Sequence, residues 1–468
     1  MVDPRVVQQA LTGTRVLPAW LDDPRRPAAT APVVGRLTTD LVVVGGGFAG
    51  LWSAVLAKQR DPDRDVVLVE GARIGWGASG RNGGFVSSSL THGLTNGARF
   101  VPDELPRLVE LGRRNYQGIR AFVDEHGIDC SLEETGNLSA ASQPWHVDEL
   151  AAYADQQRAY GYRVDVLDAT QTRELVDSPT YLGGVLSHDD GGLVNPARLA
   201  WGLRQVAEEL GVRVHERSPV RGVADRGFFV SVATPDGEVC AQRAVLATNG
   251  FRPLLRRDRL HVAPVYNYAL MTEPLTSDQR RAVRWEGRQG LSGMEAEFHY
   301  YRLTDDDRIL WGGPHTDYMY GNGIAGRHER RPEIYRMLAD TFFTTFPQLE
   351  GLRFSHAWGG VIDVCSRAFV FFDQACGGKV ASAAGFSGLG VASTRFAAEV
   401  MLDLLSGEPT ELTQLDLVRR RPLPFPPEPV RSLAIAATKR SIAGIDRNEG
   451  RRDPWLRLLD RVGVGFDG

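Results

Sequence analysis

The clearest pattern in the chain is a short apolar run followed by glycines and a helix-forming segment. Residues 39–44, TDLVVV, are typical of a buried parallel strand and lead directly into GGGFAG. Residues 51–60 then predict a helix that ends before Asp61-Pro62, and residues 65–69, DVVLV, predict a second buried strand. A strand, glycine turn, helix and strand in about 30 residues is the unit from which dinucleotide-binding α/β folds are built.

The rest of the chain alternates between helical and strand-like patterns. The predicted segments are a loop over 71–98, mostly helix over 104–180 with one strand hairpin near 132–140, a helix over 196–210, a strand over 212–215, a β-meander with runs at 228–233 and 244–247, an antiparallel sheet over 261–315, and glycine-rich turns followed by a helix over 355–405. The alternation over 261–315 predicts a sheet with one functional face.

These elements predict an α/β fold with an α+β substrate lobe. One domain is Rossmann-like and carries the β-meander, and the other contains the antiparallel sheet. The predicted boundaries are an N-terminal arm over 1–38, a cofactor-binding domain over 39–98, 185–260 and 355–410, a substrate domain over 99–184 and 261–354, and a C-terminal extension over 411–468.

Composition excludes several classes of protein. The 54 basic and 58 acidic residues give a net charge of −4, so there is no electrostatic footprint for nucleic acid. No apolar stretch reaches the length of a transmembrane helix and no export signal is recognisable, so we expect a cytoplasmic protein. The four cysteines lack metal-binding spacing, and we expect them to be reduced and buried, with no metal site.

The glycine turn predicts a dinucleotide site. Gly45, Gly47 and Gly50 let the backbone approach a pyrophosphate, whose charge then lies at the helix N-terminus. Glu70 follows twenty residues after Gly50, where a carboxylate accepts hydrogen bonds from ribose hydroxyls and disfavours a 2′-phosphate. A coincidental tight turn is the alternative interpretation. Of the dinucleotides, NAD and FAD remain.

Two further glycine clusters favour FAD over an NAD-linked dehydrogenase. The loop GWGASGRNGG at 75–84 can wrap a ligand, and Ser79, Arg81 and Asn82 add donors for phosphate or a flavin ring edge, although a merely flexible loop would have similar composition. The cluster GFSGLG at 385–390 precedes a helical run, whose N-terminus would suit the electron-rich edge of a reduced flavin.

Together these motifs, with VLATNG at 245–250, resemble the D-amino-acid oxidase superfamily of FAD enzymes, and within it the gamma-glutamylputrescine oxidoreductase branch. The resemblance covers about residues 40–405, and WGASGRNGG is its most specific piece. The segments HYYRLTDDDRILWGG, RRRPLPFPPEPVRSL and EGRRDPW resemble a narrower group of aminophosphonate oxidoreductases.

The resemblance implies non-covalently bound FAD, with its adenosine at the first glycine turn and its ring under the substrate sheet. The residues expected to bind it are Gly45, Gly47, Phe48, Ala49, Gly50, Glu70, Gly77, Ala78, Ser79, Arg81, Asn82, Gly83, Gly84, Val220, Thr248, Asn249, Gly250, Gly385, Gly388, Leu389, Gly390 and Val391. Leu389 stands where the family often has a polar residue, and the family's proline before that segment is absent.

Two chemical expectations follow from this resemblance. In the sarcosine-oxidase relatives a lysine over the flavin promotes reaction with oxygen, whereas the matching strand here, RILWGG, has Leu310. Lysine occurs in this chain only as Lys58, Lys379 and Lys439, so oxygen is expected to be a poor electron acceptor. Some relatives attach flavin through cysteine, which makes Cys365 a candidate, although a buried structural thiol is the more common role.

The expected function is oxidation of the carbon–nitrogen bond of a small amine or amino acid, with the electron acceptor left open. In the strand FHYYRL, Tyr300 and Arg302 share one face; Arg302 could bind an anionic substrate group, or form a surface salt bridge with residues 305–307. Tyr266 could cap the pocket or be an ordinary strand aromatic, and His315 could assist amine deprotonation.

A competing interpretation gives the protein a binding or assembly role through its C-terminal tail. The tail has a small excess of basic residues, and residues 430–442 predict a short amphipathic helix.

Overall fold

The computed structural model describes residues 2–465. Its strands are β1 (Arg15–Val16), β2 (Gly35–Val44), β3 (Val66–Val69), β4 (Phe85–Ser87), β5 (Asn137–Ala141), β6 (Val164–Asp168), β7 (Gly183–Ser187), β8 (Gly191–Leu193), β9 (Arg213–His215), β10 (Gly222–Asp225), β11 (Val230–Ala233), β12 (Gly237–Leu246), β13 (Ala263–Thr272), β14 (Gly290–Gly293), β15 (Tyr300–Leu303), β16 (Ile309–Tyr318), β17 (Phe354–Val364), β18 (Phe371–Ala375) and β19 (Val380–Ala384).

The α-helices are α1 (Pro4–Ala10), α2 (Phe48–Arg60), α3 (Leu94–Phe100), α4 (Leu105–Glu125), α5 (Pro144–Ala159), α6 (Ala169–Leu175), α7 (Pro196–Glu209), α8 (Ser277–Val283), α9 (Pro332–Thr345), α10 (Gly390–Ser406), α11 (Glu411–Gln414), α12 (Asp416–Arg419), α13 (Val430–Ile442) and α14 (Pro454–Arg461). None of these helices, within the described part of the chain, combines the length and apolar composition needed to cross a bilayer.

The cofactor domain is built on an eight-stranded sheet. Strands β12, β2, β3 and β9 lie side by side and parallel, and β19 pairs with both β12 and β18. The predicted runs at 228–233 and 244–247 lie in β11 and β12, which are antiparallel, and β10 adds a third antiparallel strand that was not predicted. Helix α2 packs on this sheet, and Leu51, Trp52 and Val55 are fully buried. Burying each such side chain stabilises the fold by roughly 1.5–3 kcal/mol. The predicted βαβ unit is therefore confirmed.

The substrate domain is built on a nine-stranded sheet in the order β1-β17-β13-β16-β15-β14-β5-β7-β6. The pairs among β13, β16, β15 and β14 are antiparallel, as the alternating pattern predicts. One face of the sheet is covered by α9, which packs on β13 and β16 over an aromatic cluster that includes Trp311, Phe342 and Phe346.

Three predictions about these segments are corrected. The expected hairpin near 132–140 is a single strand, β5, which pairs with β14 and β7 from elsewhere in the chain. Strand β17 lies in the substrate sheet although the prediction assigned 355–410 to the cofactor domain, and β7, which starts at Gly183, crosses the predicted boundary at 185. The local sequence pattern predicts that a segment forms a strand, but the sheet that it joins depends on pairing with strands far away in the chain.

The ends of the chain fold onto the two domains. Helix α1 packs on α9, and β1 adds a strand beside β17, so the first part of the N-terminal arm joins the substrate domain. The later part joins the cofactor domain, because Val33 packs in its core and β2 begins at Gly35. Helix α13 forms where the tail pattern predicts it. Of the four free cysteines, three are buried as expected, and Cys376 is only partly buried.

Candidate active site

The turn between β2 and α2 leaves no space for side chains. Gly45 has φ +115°, and a Cβ there would lie 2.4 Å from the carbonyl oxygen of Ala247. A Cβ on Gly50 would lie 1.9 Å from the carbonyl oxygen of Gly45, so the helix starts in direct contact with the turn. A Cβ on Gly47 would approach Ser79 Oγ to 2.9 Å. Such a bare turn lets a pyrophosphate reach backbone amides.

Phe48 and Ala49 form the first turn of α2 and are buried. The amide of Phe48 donates to Ser79 Oγ at 2.9 Å, so the loop 75–84 is bonded to the helix start. Gly47, the N-cap residue, provides no side-chain acceptor. Helix N-termini of this kind bind anions because their first amides have no partner within the helix.

Glu70 follows β3 as predicted, and its carboxylate is already bonded to backbone. One oxygen accepts the amide of Gly46 at 2.6 Å and the other that of Ala72 at 2.7 Å. Burial raises the pKa of this carboxyl, while the amide bonds oppose the shift. Each carboxylate oxygen has a second lone pair, so ribose hydroxyls can still be accepted beside these amides.

Val220 packs against the apolar cluster formed by residues of β2 and β3. Ser218, two residues earlier, donates its amide to the carbonyl of Glu70 at 2.8 Å, so this segment runs beside Glu70, where the adenosine end is expected.

The side chain of Asn82 holds the loop 75–84 in shape. The Asn82 amide group donates to the carbonyls of Ala78 and Ser79, and its oxygen accepts the amide of Gly84 at 2.8 Å. A Cβ on Gly83 would lie 2.9 Å from the ring of Tyr300. The sequence suggested that Asn82 is a free donor for a ligand. In the structure its side chain instead bonds to the loop backbone and shapes a backbone cradle.

Arg81 ties the two domains together. Its guanidinium donates to the carbonyl of Trp76 and to that of Gly359 at 2.9 Å, and it forms an ion pair of 2.8 Å with Glu329. It also lies 4.6 Å from the ring of Trp76. These contacts use Nε and Nη1 of Arg81, and the expectation that it serves as a phosphate or flavin donor stays a prediction. Gly77 is adjacent, with Phe251 near its Cβ position.

The segment Thr248–Gly250 follows β12 and approaches the end of β17. Asn249 has φ +51°, and its side-chain oxygen accepts the amide of Gly250 at 2.5 Å. A Cβ on Gly250 would lie 2.8 Å from Val361. The VLATNG motif therefore lies at the boundary between the two sheets, as the resemblance implies.

The turn 385–390 is sharply bent before α10. Gly385, Ser387 and Gly388 have φ values of +80°, +53° and +99°. A Cβ on Gly385 would lie 2.9 Å from Cys365 Sγ. Leu389 is the N-cap residue and makes no side-chain hydrogen bond, so Gly390 and Val391 begin α10 with uncapped amides. A second amide-rich helix start therefore lies in the cofactor domain.

Cys365 is fully buried, and burial raises the pKa of its thiol. Its sulfur lies 3.1 Å from the carbonyl oxygen of Phe369 and 3.4 Å from that of Gly385. A buried thiol with raised pKa is a weak nucleophile. These contacts favour the structural role of Cys365 over a covalent flavin link.

The predicted faces of the FHYYRL strand are confirmed by contacts. Tyr300 lies against Phe85, with ring centroids 6.2 Å apart, and donates to Asn267 at 2.8 Å. On the opposite face, Tyr301 packs on Trp311. Of the four residues suggested for catalysis, Tyr300 and Arg302 lie against the glycine loop at 83–84, and a Cβ on Gly84 would lie 2.9 Å from Nη1 of Arg302.

Both interpretations of Arg302 are corrected. The side chain is 1% exposed, and it donates to the carbonyl of Val194 at 2.8 Å and to that of Leu303 at 3.1 Å. Burial lowers the pKa of its guanidinium to about 10. It is therefore neither a surface ion pair nor open to a substrate anion, and Asp305 instead pairs with Arg198. Strand periodicity gives the face but not the depth of a side chain.

Tyr266 and His315 are not among the lining residues of the cavity described below. The hydroxyl of Tyr266 is bonded to the backbone of Ala325, and its ring is buried in the aromatic cluster of the substrate domain. His315 is near Lys439 and Asp317, and burial lowers its pKa. Tyr266 is thus the ordinary strand aromatic of the two interpretations.

A cavity of about 380 Å³ lies beside the turn 385–390. Its walls come from the segment after β4, from α4 and α5, from the end of β14 and from Leu389. Its polar lining includes Ser87, Ser139, Tyr153, Tyr162, Gln157 and Ser292. The volume is in the range of small-molecule sites.

Three carboxylates face this cavity: Asp190, Glu149 and Glu295. Asp190 accepts a hydrogen bond from Ser88 at 3.3 Å, and burial raises its pKa to about 6. Glu295 accepts from Ser142. Within residues 2–465, no arginine or lysine lines the cavity. The potential of the cavity therefore favours a cation.

His92 is the imidazole in this cavity, and sequence reasoning missed it. It has φ +58°, bonds to the backbone of Ser387, and has its pKa lowered by burial. The polar run SSSLTHG after the glycine loop was the available signal. Asp190 had no signal, because it reaches the cavity from a turn between β7 and β8.

None of the three lysines lines the cavity. Lys58 bonds to the carbonyl of Arg64, Lys379 pairs with Asp225, and Lys439 bonds to the carbonyl of Thr316. The described residues also contain no group of three or more histidine, cysteine or acidic side chains placed to hold a metal ion.

The turns described above fit FAD. Two helix starts whose N-cap residues make no side-chain hydrogen bond, a backbone cradle at 77–84 that side chains would fill, and a carboxylate after β3 are the features that a dinucleotide with a flavin ring requires. Glu70, Ser79 and the turn at 45–50 would hold its adenosine and pyrophosphate, and the turns at 83–84 and 385–390 would hold its ring.

Known proteins agree with this reading. Gamma-glutamylputrescine oxidoreductase of Escherichia coli (strain K12) is 29% identical over 438 residues, which cover 92% of this chain and 94% of that protein. Probable oxidoreductase OrdL of Haemophilus influenzae is 26% identical, covering 80% and 84%. Among solved structures, glycine oxidase from Geobacillus kaustophilus matches with a TM-score of 0.68 at 20% identity, covering 82% of this chain and 99% of that one.

The profile of the DAO family, described as FAD dependent oxidoreductase, matches residues 40–404. That range spans β2 to α10 and contains all three glycine turns. The chain therefore belongs to the DAO family of FAD-dependent oxidoreductases.

Proposed function

We propose that this protein oxidises a carbon–nitrogen bond of a small amine that binds as a cation in the cavity beside Leu389. The observation that carries the proposal is the lining: Asp190, Glu149 and Glu295 are its charged acidic groups, and no lysine or arginine of the described chain faces it. Leu389 belongs to the turn expected beside the flavin ring, so substrate and cofactor sites adjoin.

The cavity supplies binding and a place for a proton. Amine oxidation removes a hydride from the carbon and a proton from the nitrogen, and water then hydrolyses the imine to a carbonyl compound and an amine or ammonia. FAD supplies the two-electron acceptor for the hydride. An ammonium must first lose a proton to become reactive. His92, which is neutral at neutral pH because burial lowers its pKa, and Asp190 are the groups in the cavity that can accept it.

The proposal drops the requirement for an anionic substrate group. That expectation rested on Arg302, whose donors are used on backbone carbonyls away from the cavity. The name of the Escherichia coli relative, gamma-glutamylputrescine oxidoreductase, supports an amine with a cationic end, and because a gamma-glutamyl group also carries a carboxylate it does not decide whether an anionic group is present. The tail's resemblance to aminophosphonate oxidoreductases stays a prediction, which a substrate panel can decide.

We also propose that oxygen is a poor acceptor. An ammonium near the flavin would stabilise the negative charge that develops when oxygen takes an electron. The three lysines of this chain are bonded elsewhere, and Leu310 is buried on the strand where relatives have a lysine.

A binding role through the tail has less support. Arg431 is 5% exposed and donates to Asn322, and Lys439 bonds to Thr316, so the tail helix directs these basic groups at its own chain.

Anaerobic mixing of the FAD-loaded protein with a substrate panel tests the proposal. The panel holds primary amines and diamines, N-methyl amino acids, aminophosphonates and, as the carbon–oxygen counterpart, 2-hydroxy acids. Bleaching of the flavin absorbance by cationic amines is expected. Bleaching only by hydroxy acids or only by aminophosphonates would contradict the proposal.

A further inference from the structure

Asp363 links the substrate sheet to the turn 385–390. It lies near the end of β17 and is 1% exposed. Its carboxylate accepts the amide of Gly385 at 2.6 Å, and its own carbonyl accepts the amide of Ser387 at 3.1 Å. Cys365, two residues later, donates its amide to Ser387 Oγ at 3.2 Å. A strand of one domain thus fixes the shape of a turn in the other.

The second carboxylate oxygen faces the other loop at the domain boundary. Asn249 Nδ2 lies 3.5 Å from Asp363 Oδ1, and the same asparagine holds the amide of Gly250. One carboxyl group therefore lies between the two loops that the family resemblance places beside the flavin ring. A displacement of the Asp363 carboxyl group would therefore shift both the loop at 248–250 and the turn at 385–390.

The groups that contact this carboxyl are amides rather than cations. Burial raises the pKa of Asp363 to about 7, and the amides of Gly385, Phe386 and Ser387 oppose that shift. Burying a carboxylate without a cation is costly, so such a group is a candidate for a functional role.

The charged and titratable groups around the turn are few. Cys365, with its raised pKa, lies on the β17 side and His92, with its lowered pKa, bonds to the backbone of Ser387. Arg367 interacts with Cys365 and is itself bonded to backbone carbonyls of Val370 and Leu417.

The turn leads directly into α10, whose first amides have no side-chain cap. That helix start carries partial positive charge and is the end that would face an electron-rich ring edge. The carboxylate of Asp363 bonds to the start of this turn and so fixes the turn from which these amides follow. When ionised, it also opposes the addition of electrons nearby.

We propose that Asp363 is a positioning residue for bound FAD, which fixes the turn 385–390 and whose negative charge lowers the reduction potential of the cofactor. The inference rests on the proposed function only for the place of the flavin ring. It does not depend on the identity of the substrate, and its test uses none.

The test compares Asp363→Asn, Asp363→Glu and the wild type, with Asp258→Asn as a matched control. Asp258 is another buried carboxyl with its pKa raised to about 6, but its contacts are with Ser382 of β19 and with Arg421 rather than with the amides of residues 385–387. The measurements are the FAD dissociation constant, the midpoint potential at about pH 8.5 and pH 6, and hydrogen exchange of residues 385–387 in FAD-free protein.

For Asp363→Asn we expect a higher midpoint potential at pH 8.5 and a smaller difference at pH 6, where the wild-type carboxyl is protonated. FAD binding should weaken roughly tenfold, since one amide loses its charged acceptor. Residues 385–387 should exchange faster. Asp363→Glu should keep the wild-type potential with weaker binding, and Asp258→Asn should change neither. A merely structural role would weaken binding without moving the potential.

An Asp363→Asn potential equal to that of the wild type at both pH values would overturn the proposal. If Asp363→Asn does not fold, reduction of wild-type protein at pH 8 is followed by infrared difference spectroscopy. A carboxylic-acid carbonyl band should appear, because added electrons favour protonation of Asp363, and Asn249→Ala should shift it. The lack of any such band would also overturn the proposal.

Discussion

Replacement of Glu70 separates its two roles, in the glycine turn and toward the adenosine of FAD. The carboxylate accepts two amide bonds, from Gly46 at 2.6 Å and from Ala72 at 2.7 Å. A hydrogen bond to a charged acceptor contributes roughly 1.5–3 kcal/mol. Glu70→Ala should therefore lower the free energy of unfolding by about 3 kcal/mol or more. The ribose contact adds a loss of about tenfold to a hundredfold in FAD affinity.

Glu104→Ala is the matched control. Glu104 also accepts two backbone amides, from Asp416 at 2.6 Å and from Leu417 at 3.2 Å, but far from the glycine turn. Its removal should lower stability to a similar extent and leave FAD affinity unchanged. Glu70→Gln retains one acceptor oxygen and should fall between the wild type and Glu70→Ala.

FAD-free protein of each variant is titrated with FAD while flavin fluorescence is followed, and unfolding in urea gives the stability. If Glu70→Ala is destabilised like Glu104→Ala but keeps wild-type FAD affinity, Glu70 only supports the turn. The assignment of the adenosine end would then be wrong.

Further predictions concern the cavity, the thiol and the buried acids. Asp190→Asn should lower kcat/KM for a cationic amine roughly tenfold or more. It should also remove the rise of kcat/KM through about pH 6 that ionisation of Asp190 gives the wild type, whereas the control Asp189→Asn, which removes the partner of Arg163, should do neither. An unchanged pH profile in Asp190→Asn would count against the cation site. Acid precipitation of wild type and of Cys365→Ser should leave the flavin in the supernatant, and colour in the wild-type pellet alone would reveal a covalent link. Air should reoxidise the reduced protein slowly and an artificial acceptor quickly, and fast reoxidation in air would refute the argument from lysine. The pKa of Asp363 is raised from 3.8 to about 7 in the folded state, so between these pH values the folded protein binds one proton more than the unfolded protein. The free energy of unfolding should therefore fall by up to about 4 kcal/mol from pH 4 to pH 8. Urea unfolding of Asp363→Asn should lack this contribution to the pH dependence.

The cofactor end of the molecule could be predicted because its determinants are local. Gly45 and Gly50 touch each other across one turn, and Glu70 follows within a single βαβ unit. Glycine is required because a Cβ at either position would lie less than 2.5 Å from a backbone oxygen, so any other residue would clash. Such constraints involve residues that are close together in the chain, so the sequence pattern predicts them.

The substrate end could not be predicted in the same way. Asp190, His92 and Glu295 come from three distant segments, and nothing local to any of them indicates a shared cavity. Arg302 shows the opposite error. Its face on β15 was predicted, but packing against Val194 buries the guanidinium that the sequence suggested for a substrate. Depth and access depend on tertiary packing rather than on strand period.

The matched pair of putrescine and gamma-aminobutyrate tests the central claim most directly. Both have a four-carbon chain with one ammonium, and they differ in whether the far end is a second ammonium or a carboxylate. In anaerobic single-turnover experiments with FAD-loaded wild-type protein, the account predicts that putrescine reduces the flavin at lower concentration, because Asp190, Glu149 and Glu295 face the cavity. Tighter apparent binding of gamma-aminobutyrate would contradict the account.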